Sequence, residues 1–192
     1  PVLMIGGGVR TAGAVDALLA LGRKLKIPMF PTWNALDIVP SDYEHYGGRI
    51  GTYGGPGRNF GIQNSDLLLA IGSRISGRVT GGNIKSFARA AKRYTVDVDE
   101  SLLQKKLQQV PFHENIHCDA AEFIRRFMEK IEHAALPDFA AWHSRVIEWR
   151  EKYDPVRPEH FAQKEFVNPY AFMRILSEEM KKNDIYVGDC GG

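Results

Sequence analysis

Three short stretches carry residues whose type and spacing suit a phosphate-bearing ligand. Gly6-Gly7-Gly8-Val9-Arg10 lies between an apolar run and a helical one, where backbone N–H groups and a helix N-terminus can approach a phosphate. The same glycines would equally serve tight packing of a strand against the following helix. The spacing is not Gly-x-Gly-x-x-Gly, because Thr11 takes the third position. The second apolar run ends in Phe30-Pro31-Thr32-Trp33, not in the acid that a dinucleotide ribose wants. Gly72-Ser73-Arg74 and Arg78-Val79-Thr80-Gly81 place two arginines close together after another apolar run. Such a pair can grip a diphosphate, or can be ordinary surface arginines on a loop. Asp97 and Asp99 alternate with Val96 and Val98, so both carboxylates point to one face of a strand end. One can accept a ribose hydroxyl, or cap a helix starting near Ser101. Without an acid, a base and a substrate between them, two carboxylates are not a catalytic pair.

Other chemistries find little support. No Gly-x-Ser-x-Gly or Gly-Lys-Ser/Thr occurs, and the six histidines form no nucleophile pattern with cysteine or serine. His113 and His117 sit beside Asn115-Ile116, which reads as a strand entry rather than a metal-binding helix. Cys118 and Cys190 are far apart and read as reduced, buried thiols of a cytoplasmic protein. A formal net charge of +2 gives no footprint for nucleic acid. No run reaches the ~18 apolar residues of a membrane span, and no signal peptide opens the chain.

The elements that must position these residues alternate. Strands are expected at residues 2–5, 27–30, 67–71, 94–98 and 116–118, the β-type runs that mostly end in glycine or aspartate. Helical spacing appears over 11–25, with Ala14, Leu18, Leu21 and Leu25 on one face. Shorter helices are expected at 58–63 and 101–108. Asp119 stands where an N-cap belongs, before an amphipathic helix over 120–133. This alternation builds right-handed βαβ units and an open, doubly wound parallel sheet. Residues 138–166 read as an exposed helix and linker. Asn168-Pro169 then starts a helix running to about residue 182, followed by a strand at 185–187.

In order, Ile5-Gly6-Gly7-Gly8, Ile27-Pro28-Met29-Phe30-Pro31-Thr32, Tyr46-Gly47-Gly48-Arg49-Ile50-Gly51-Thr52-Tyr53-Gly54, Arg58-Asn59-Phe60, Ser65–Arg74, Arg78-Val79-Thr80-Gly81 and Val96-Asp97-Val98-Asp99 resemble the central domain of thiamine-diphosphate enzymes of the acetolactate synthase group. Val187-Gly188-Asp189-Cys190-Gly191 resembles the opening of that family's C-terminal cofactor-binding domain. The resemblance implies an α/β fold, a doubly wound parallel six-stranded sheet of the sirtuin/deoxyhypusine synthase-like nucleotide-binding type. It implies a central domain over 1–135, a helical linker over 136–166, and the first helix and strand of the truncated C-terminal domain over 167–192. Both ends of the chain then read as cuts in a longer protein.

The resemblance also implies a cofactor site at Gly6, Gly7, Gly8, Thr32, Gly51, Tyr53, Gly54, Gly72, Ser73, Arg74, Arg78, Val79, Asp97, Val98, Asp119 and Ala120. In relatives this site holds FAD without redox work, holds ADP, or is empty. Here the family's Arg-Phe-Asp-Asp-Arg appears as Arg74-Ile75-Ser76-Gly77-Arg78, and its Met-His-Gly as Thr52-Tyr53-Gly54. Thiamine diphosphate and magnesium are expected in the parent enzyme and not in this fragment, because the activating glutamate and the Gly-Asp-Gly…Asn motif do not occur here. The implied function is condensation or decarboxylation of 2-keto acids by a transferase or lyase, with the fragment inactive by itself. Its partners are the rest of the parent chain and a parent homo-oligomer, with no nucleic acid and no membrane. The alternative is a self-standing NAD- or nucleotide-binding module.

Overall fold

A computed structural model describes residues 1–104 and 110–188. The chain divides into two compact units, residues 1–153 and 154–192. The first unit is built on a parallel sheet. Its strands are β1 (Val2–Ile5), β2 (Met29–Pro31), β3 (Leu67–Ile71), β4 (Lys92–Asp97) and β5 (Glu114–His117), in the order β2-β1-β3-β4-β5. Helices α1 (Gly8–Thr11), α2 (Val15–Leu25), α3 (Pro56–Gln63), α4 (Gly77–Thr80), α5 (Ala120–Ile131) and α6 (Ala140–Lys152) surround it.

Continuous apolar runs are what a sheet covered on both faces requires. Leu3 and Ile5 face one core with Leu18, Leu21 and Ile124, which come from α2 and α5. Val2 and Met4 face the other with Phe30, Ile62, Leu68 and Val146, which adds α3 and α6. Each such side chain, fully buried, contributes about 1.5–3 kcal/mol. Asp119 caps α5, accepting from the backbone N–H groups of Ala121 and Glu122 at 2.8 and 3.2 Å.

Several expectations are corrected. Among the described residues the sheet has five strands, so the six-stranded sirtuin/deoxyhypusine synthase-like sheet does not form. Beyond β2 the chain returns alongside for a single residue pair, Met29 with Tyr46. Met29 N donates to His45 O and Gly47 N to Met29 O, both at 2.8 Å. Gly48, at φ 103°, then turns the backbone away, so no further strand propagates. The helix expected over 11–25 is broken at Gly13, whose φ of 66° is left-handed. Residues 101–103 form a turn, and the rest of the helix expected over 101–108 lies mainly outside the described residues.

Helix α6 is not the exposed helix its charged turns suggest. Val146 is fully buried, and Trp142 and Trp149 pack edge to face at 6.0 Å. The helix lies so close to α3 that a Cβ on Gly57 would sit 2.0 Å from Trp149 O. His143 Nε2 reaches Glu44 O at 3.0 Å and His45 Nδ1 at 3.1 Å, and Arg150 donates to Tyr46 O at 2.6 Å. The segment beside β2 is thereby covered, which protects a sheet edge.

The second unit contains α7 (Pro158–Phe161) and α8 (Pro169–Glu179). Asn168 caps α8 as expected, accepting from Tyr170 N at 2.9 Å. The strand expected at 185–187 does not form: Ile185, Tyr186 and Val187 are exposed and belong to no sheet. Among the described residues of the unit no neighbouring strand offers their backbone groups a ladder to join. Residues 189–192, with the Asp189-Cys190-Gly191 motif, lie outside the described residues.

Candidate functional site

The chain leaves β1 towards β2 on one side and reaches β3 on the other. Open α/β sheets bind ligands at such a switch point, beyond the carboxyl ends of the strands. A cleft of about 1460 Å³ lies there. Of the residues expected at the site, Gly6, Gly7, Gly8, Thr32, Tyr53, Gly72, Ser73, Arg74, Arg78, Val79, Asp97, Val98, Asp119 and Ala120 line it.

Gly51 and Gly54 do not line it and stand behind its wall. Gly51 exchanges two hydrogen bonds with the Asn59 side chain, at 2.9 and 3.0 Å. A Cβ on Gly51 would meet Arg78 O at 2.3 Å, and Thr52 N donates to that same carbonyl at 2.8 Å. These two glycines therefore fix the backbone beneath Tyr53 and Arg78.

At the floor, the glycine run does two jobs that compete. A Cβ on Gly6 would lie 1.9 Å from Gly72 O, and one on Gly8 would lie 2.8 Å from Gly72 Cα. Gly72 itself has a φ of 61°. Close approach of the β1 and β3 loops is thus what demands glycine. The N–H groups of Gly6, Gly8, Val9 and Arg10 already donate to Ile71 O, Gly72 O, Gly6 O and Gly7 O. These four donors are spent on the fold, so the backbone cradle expected for a phosphate is mostly occupied from within.

The anion-binding capacity lies instead in side chains. Arg74 and Arg78 are exposed in the cleft, and among the described residues neither has an ion-pair partner. Arg10 is committed elsewhere: it forms a two-pronged pair with Asp37, one prong at 2.8 Å, and donates to Asn34 O at 3.0 Å. That guanidinium holds the Asp37 carboxyl below its ordinary range. Asp97 lines the cleft while its Oδ1 accepts from Asp99 N at 3.0 Å. Asp99 is spent on the turn at 101–103, accepting from Ser101 N and Oγ at 2.9 and 2.6 Å, and these bonds lower its pKa. Asp119 is likewise committed to capping α5.

The arrangement fits a diphosphate near Arg74 and Arg78 with a hydroxyl-bearing group towards Asp97. Among the described residues no three His, Cys, Asp or Glu side chains gather as a metal site. Sequence reasoning missed Trp33, Asn34 and Asp37, which line the cleft beside Thr32. The loop composition after Pro31 held a signal for them, but no spacing rule pairs Arg10 with Asp37. Cys118, read as buried, is only partly so and also lines the cleft.

Residues 1–127 match the family model described as thiamine pyrophosphate enzyme, central domain. The whole chain is similar to a probable acetolactate synthase large subunit of Methanocaldococcus jannaschii, 30% identical and covering 32% of that protein. It is similar over its whole length to the acetolactate synthase large subunit of Corynebacterium glutamicum, 32% identical and covering 30% of it. Over 56% of the chain it is 39% identical to the acetolactate synthase isozyme 2 large subunit of Escherichia coli, covering 20% of that protein. The chain thus spans about a third of the length of the curated relatives that it matches from end to end. Among the described residues, no helix is long and apolar enough to cross a membrane.

Proposed function

The chain belongs to the thiamine pyrophosphate enzyme family as a central domain, and from that premise we propose that it serves an acetolactate synthase-like enzyme acting on 2-keto acids. The observation that carries this reading is the end-to-end match of the chain to about a third of the length of acetolactate synthase large subunits. In the whole protein, thiamine diphosphate with magnesium would supply carbanion stabilisation for condensation or decarboxylation. Residues 1–135 are the central domain of that protein, 136–166 its linker, and 167–192 the opening of a C-terminal cofactor-binding domain. The parent works as a homo-oligomer in the cytoplasm, and this chain alone is inactive.

The cleft's own role is to hold a diphosphate-bearing nucleotide, FAD or ADP. Arg74 and Arg78 would take the diphosphate through charge-assisted hydrogen bonds, and Asp97 a ribose hydroxyl. The remaining residues expected at the site act by shape: Gly6, Gly8 and Gly72 close the floor, while Gly51 and Gly54 set the Tyr53 loop. The test has two arms. The whole protein containing this chain, given thiamine diphosphate and magnesium, should convert pyruvate or another 2-keto acid, whereas the 192-residue chain should not. A whole protein inert towards 2-keto acids sinks the reading, as does turnover by the chain alone.

A further inference from the structure

Helix α6 meets the sheet edge through a pair of histidines. His45 is fixed on that edge by its own backbone, since its carbonyl accepts from Met29 N. Its side chain is buried, enclosed by the Tyr43 ring at 5.6 Å and by the His143 ring at 4.9 Å. His143 arrives on α6, 98 residues away in sequence. Its Nε2 lies 3.0 Å from Glu44 O and 3.1 Å from His45 Nδ1.

Those two contacts decide which atom carries hydrogen. A backbone carbonyl only accepts, so the hydrogen sits on His143 Nε2, which shares it between Glu44 O and His45 Nδ1. His45 Nδ1 is then bare, and the neutral ring carries its hydrogen on Nε2, 3.6 Å from the Glu44 carboxylate. A proton gained by His143 goes to its Nδ1 and leaves the shared donor in place. A proton gained by His45 has only Nδ1 to occupy, because both ring nitrogens of an imidazolium are donors. Two N–H groups would then face each other across 3.1 Å, and His143 could no longer serve both acceptors.

We propose that His45 and His143 form a proton-operated latch, which holds α6 on the sheet edge while His45 is neutral and releases it when His45 gains a proton. The charged and titratable groups around His45 are Tyr43 and Glu44 on its own segment, Arg23 and Lys26 at the end of α2, and His143 from α6. From α6, Arg150 also donates to the neighbouring Tyr46 O. Burial is the largest influence and keeps His45 below its ordinary 6.5; Glu44 opposes it, while His143, Lys26 and Arg23 add to it. The latch is therefore closed above pH 6.5 and weakens as pH falls below that value, where the freed His45 takes the proton more readily than the latched one. Release exposes Trp142 and Trp149 and uncovers residues 45–47 beside β2.

The test is amide hydrogen exchange of the full chain from about pH 7.5 to about 5.5, corrected for the intrinsic effect of pH, with histidine ring titrations followed by NMR. While the latched His45 stays neutral, each pH unit below about 6.5 should raise the opening of α6 about tenfold. The amides of α6 should be less protected than those of β1 and β3, because the helix leaves before the sheet unfolds. His45→Asn sets an acceptor oxygen in the place of Nδ1 and gains no proton, so its α6 should stay protected over the same range.

Protection of α6 that does not fall with pH in the parent chain, or that falls as steeply in His45→Asn, overturns the latch. So does a His45 ring that takes up its proton while α6 stays protected. Equal protection of α6, β1 and β3 throughout also overturns it, since the helix would then leave only with the whole unit. The two parent-chain readouts decide the matter even where His45→Asn does not fold.

Discussion

Gly6→Ala isolates the contact that builds the floor of the cleft. The added Cβ would lie 1.9 Å from Gly72 O and 2.5 Å from Ser73 Cα, both backbone atoms that cannot rotate aside. An ordinary carbon–oxygen contact is about 3.3 Å, so the β1 and β3 loops must separate by about 1.4 Å. Two hydrogen bonds span that gap, Gly6 N to Ile71 O at 2.9 Å and Gly8 N to Gly72 O at 3.1 Å. Losing both costs about 2 kcal/mol, and overpacking adds about 1–3 kcal/mol. The expected destabilisation is therefore about 3–5 kcal/mol. At about 2 kcal/mol/M in urea, the midpoint falls by about 1.5–2.5 M.

Two further substitutions separate crowding from backbone conformation. Gly13 has nothing within 4 Å of an added Cβ but a φ of 66°, so Gly13→Ala should cost only the left-handed penalty of about 1–2 kcal/mol. Gly82 has open space and no positive φ, and Gly82→Ala should change stability by less than about 0.5 kcal/mol. The assay is equilibrium urea unfolding of all three variants beside the parent chain. A Gly6→Ala midpoint within error of Gly82→Ala would refute the close-approach argument.

Removing the cap of α5 with Asp119→Ala should cost about 1 kcal/mol in the same assay, and Asp119→Asn should recover most of it. A Cβ on Gly57 would strike Trp149 O, so Gly57→Ala should lift α6 from α3 and shift tryptophan emission to the red; unchanged emission would contradict that packing. Burial lowers the pKa of His45 below its ordinary 6.5, with the Glu44 carboxylate opposing and His143, Lys26 and Arg23 assisting. The unfolded chain then binds the proton more readily, so stability should fall as pH drops below about 6.5 and continue to fall towards the folded pKa. Thermal melting at pH 7.5 and 5.5 should show this loss in the parent and a smaller one in His45→Gln; equal losses would assign the pH dependence to other groups.

Much of the architecture is local and therefore legible in the residues. Val2–Ile5 and Leu67–Ile71 are apolar throughout because both faces of a parallel sheet are covered. Asp119 and Asn168 announce helix starts because an N-cap works through its own next few residues. The run at 185–187 joins no sheet among the described residues, whereas the five runs readable as strands within residues 1–135 are the five strands that form. The sixth was inferred from a relative's fold, not from a β-type run of this chain, and the backbone turns off at Gly48 instead.

What the residues alone could not disclose depends on contacts between distant segments. The triple glycine announces a tight turn, but only the fold shows that its N–H groups are spent and that Gly72 is the body it must avoid. Arg10 and Asp37 lie 27 residues apart and Trp33 and Tyr53 meet across two loops, pairings that no local periodicity encodes. Charged turns made α6 read as exposed, because one buried stripe through Val146 is enough to dock a helix whose other faces remain in water. Local propensity and pattern thus determined which segments become strands and helices, whereas the cleft was decided by which loops the crossover order brings to the carboxyl ends of β1 and β3.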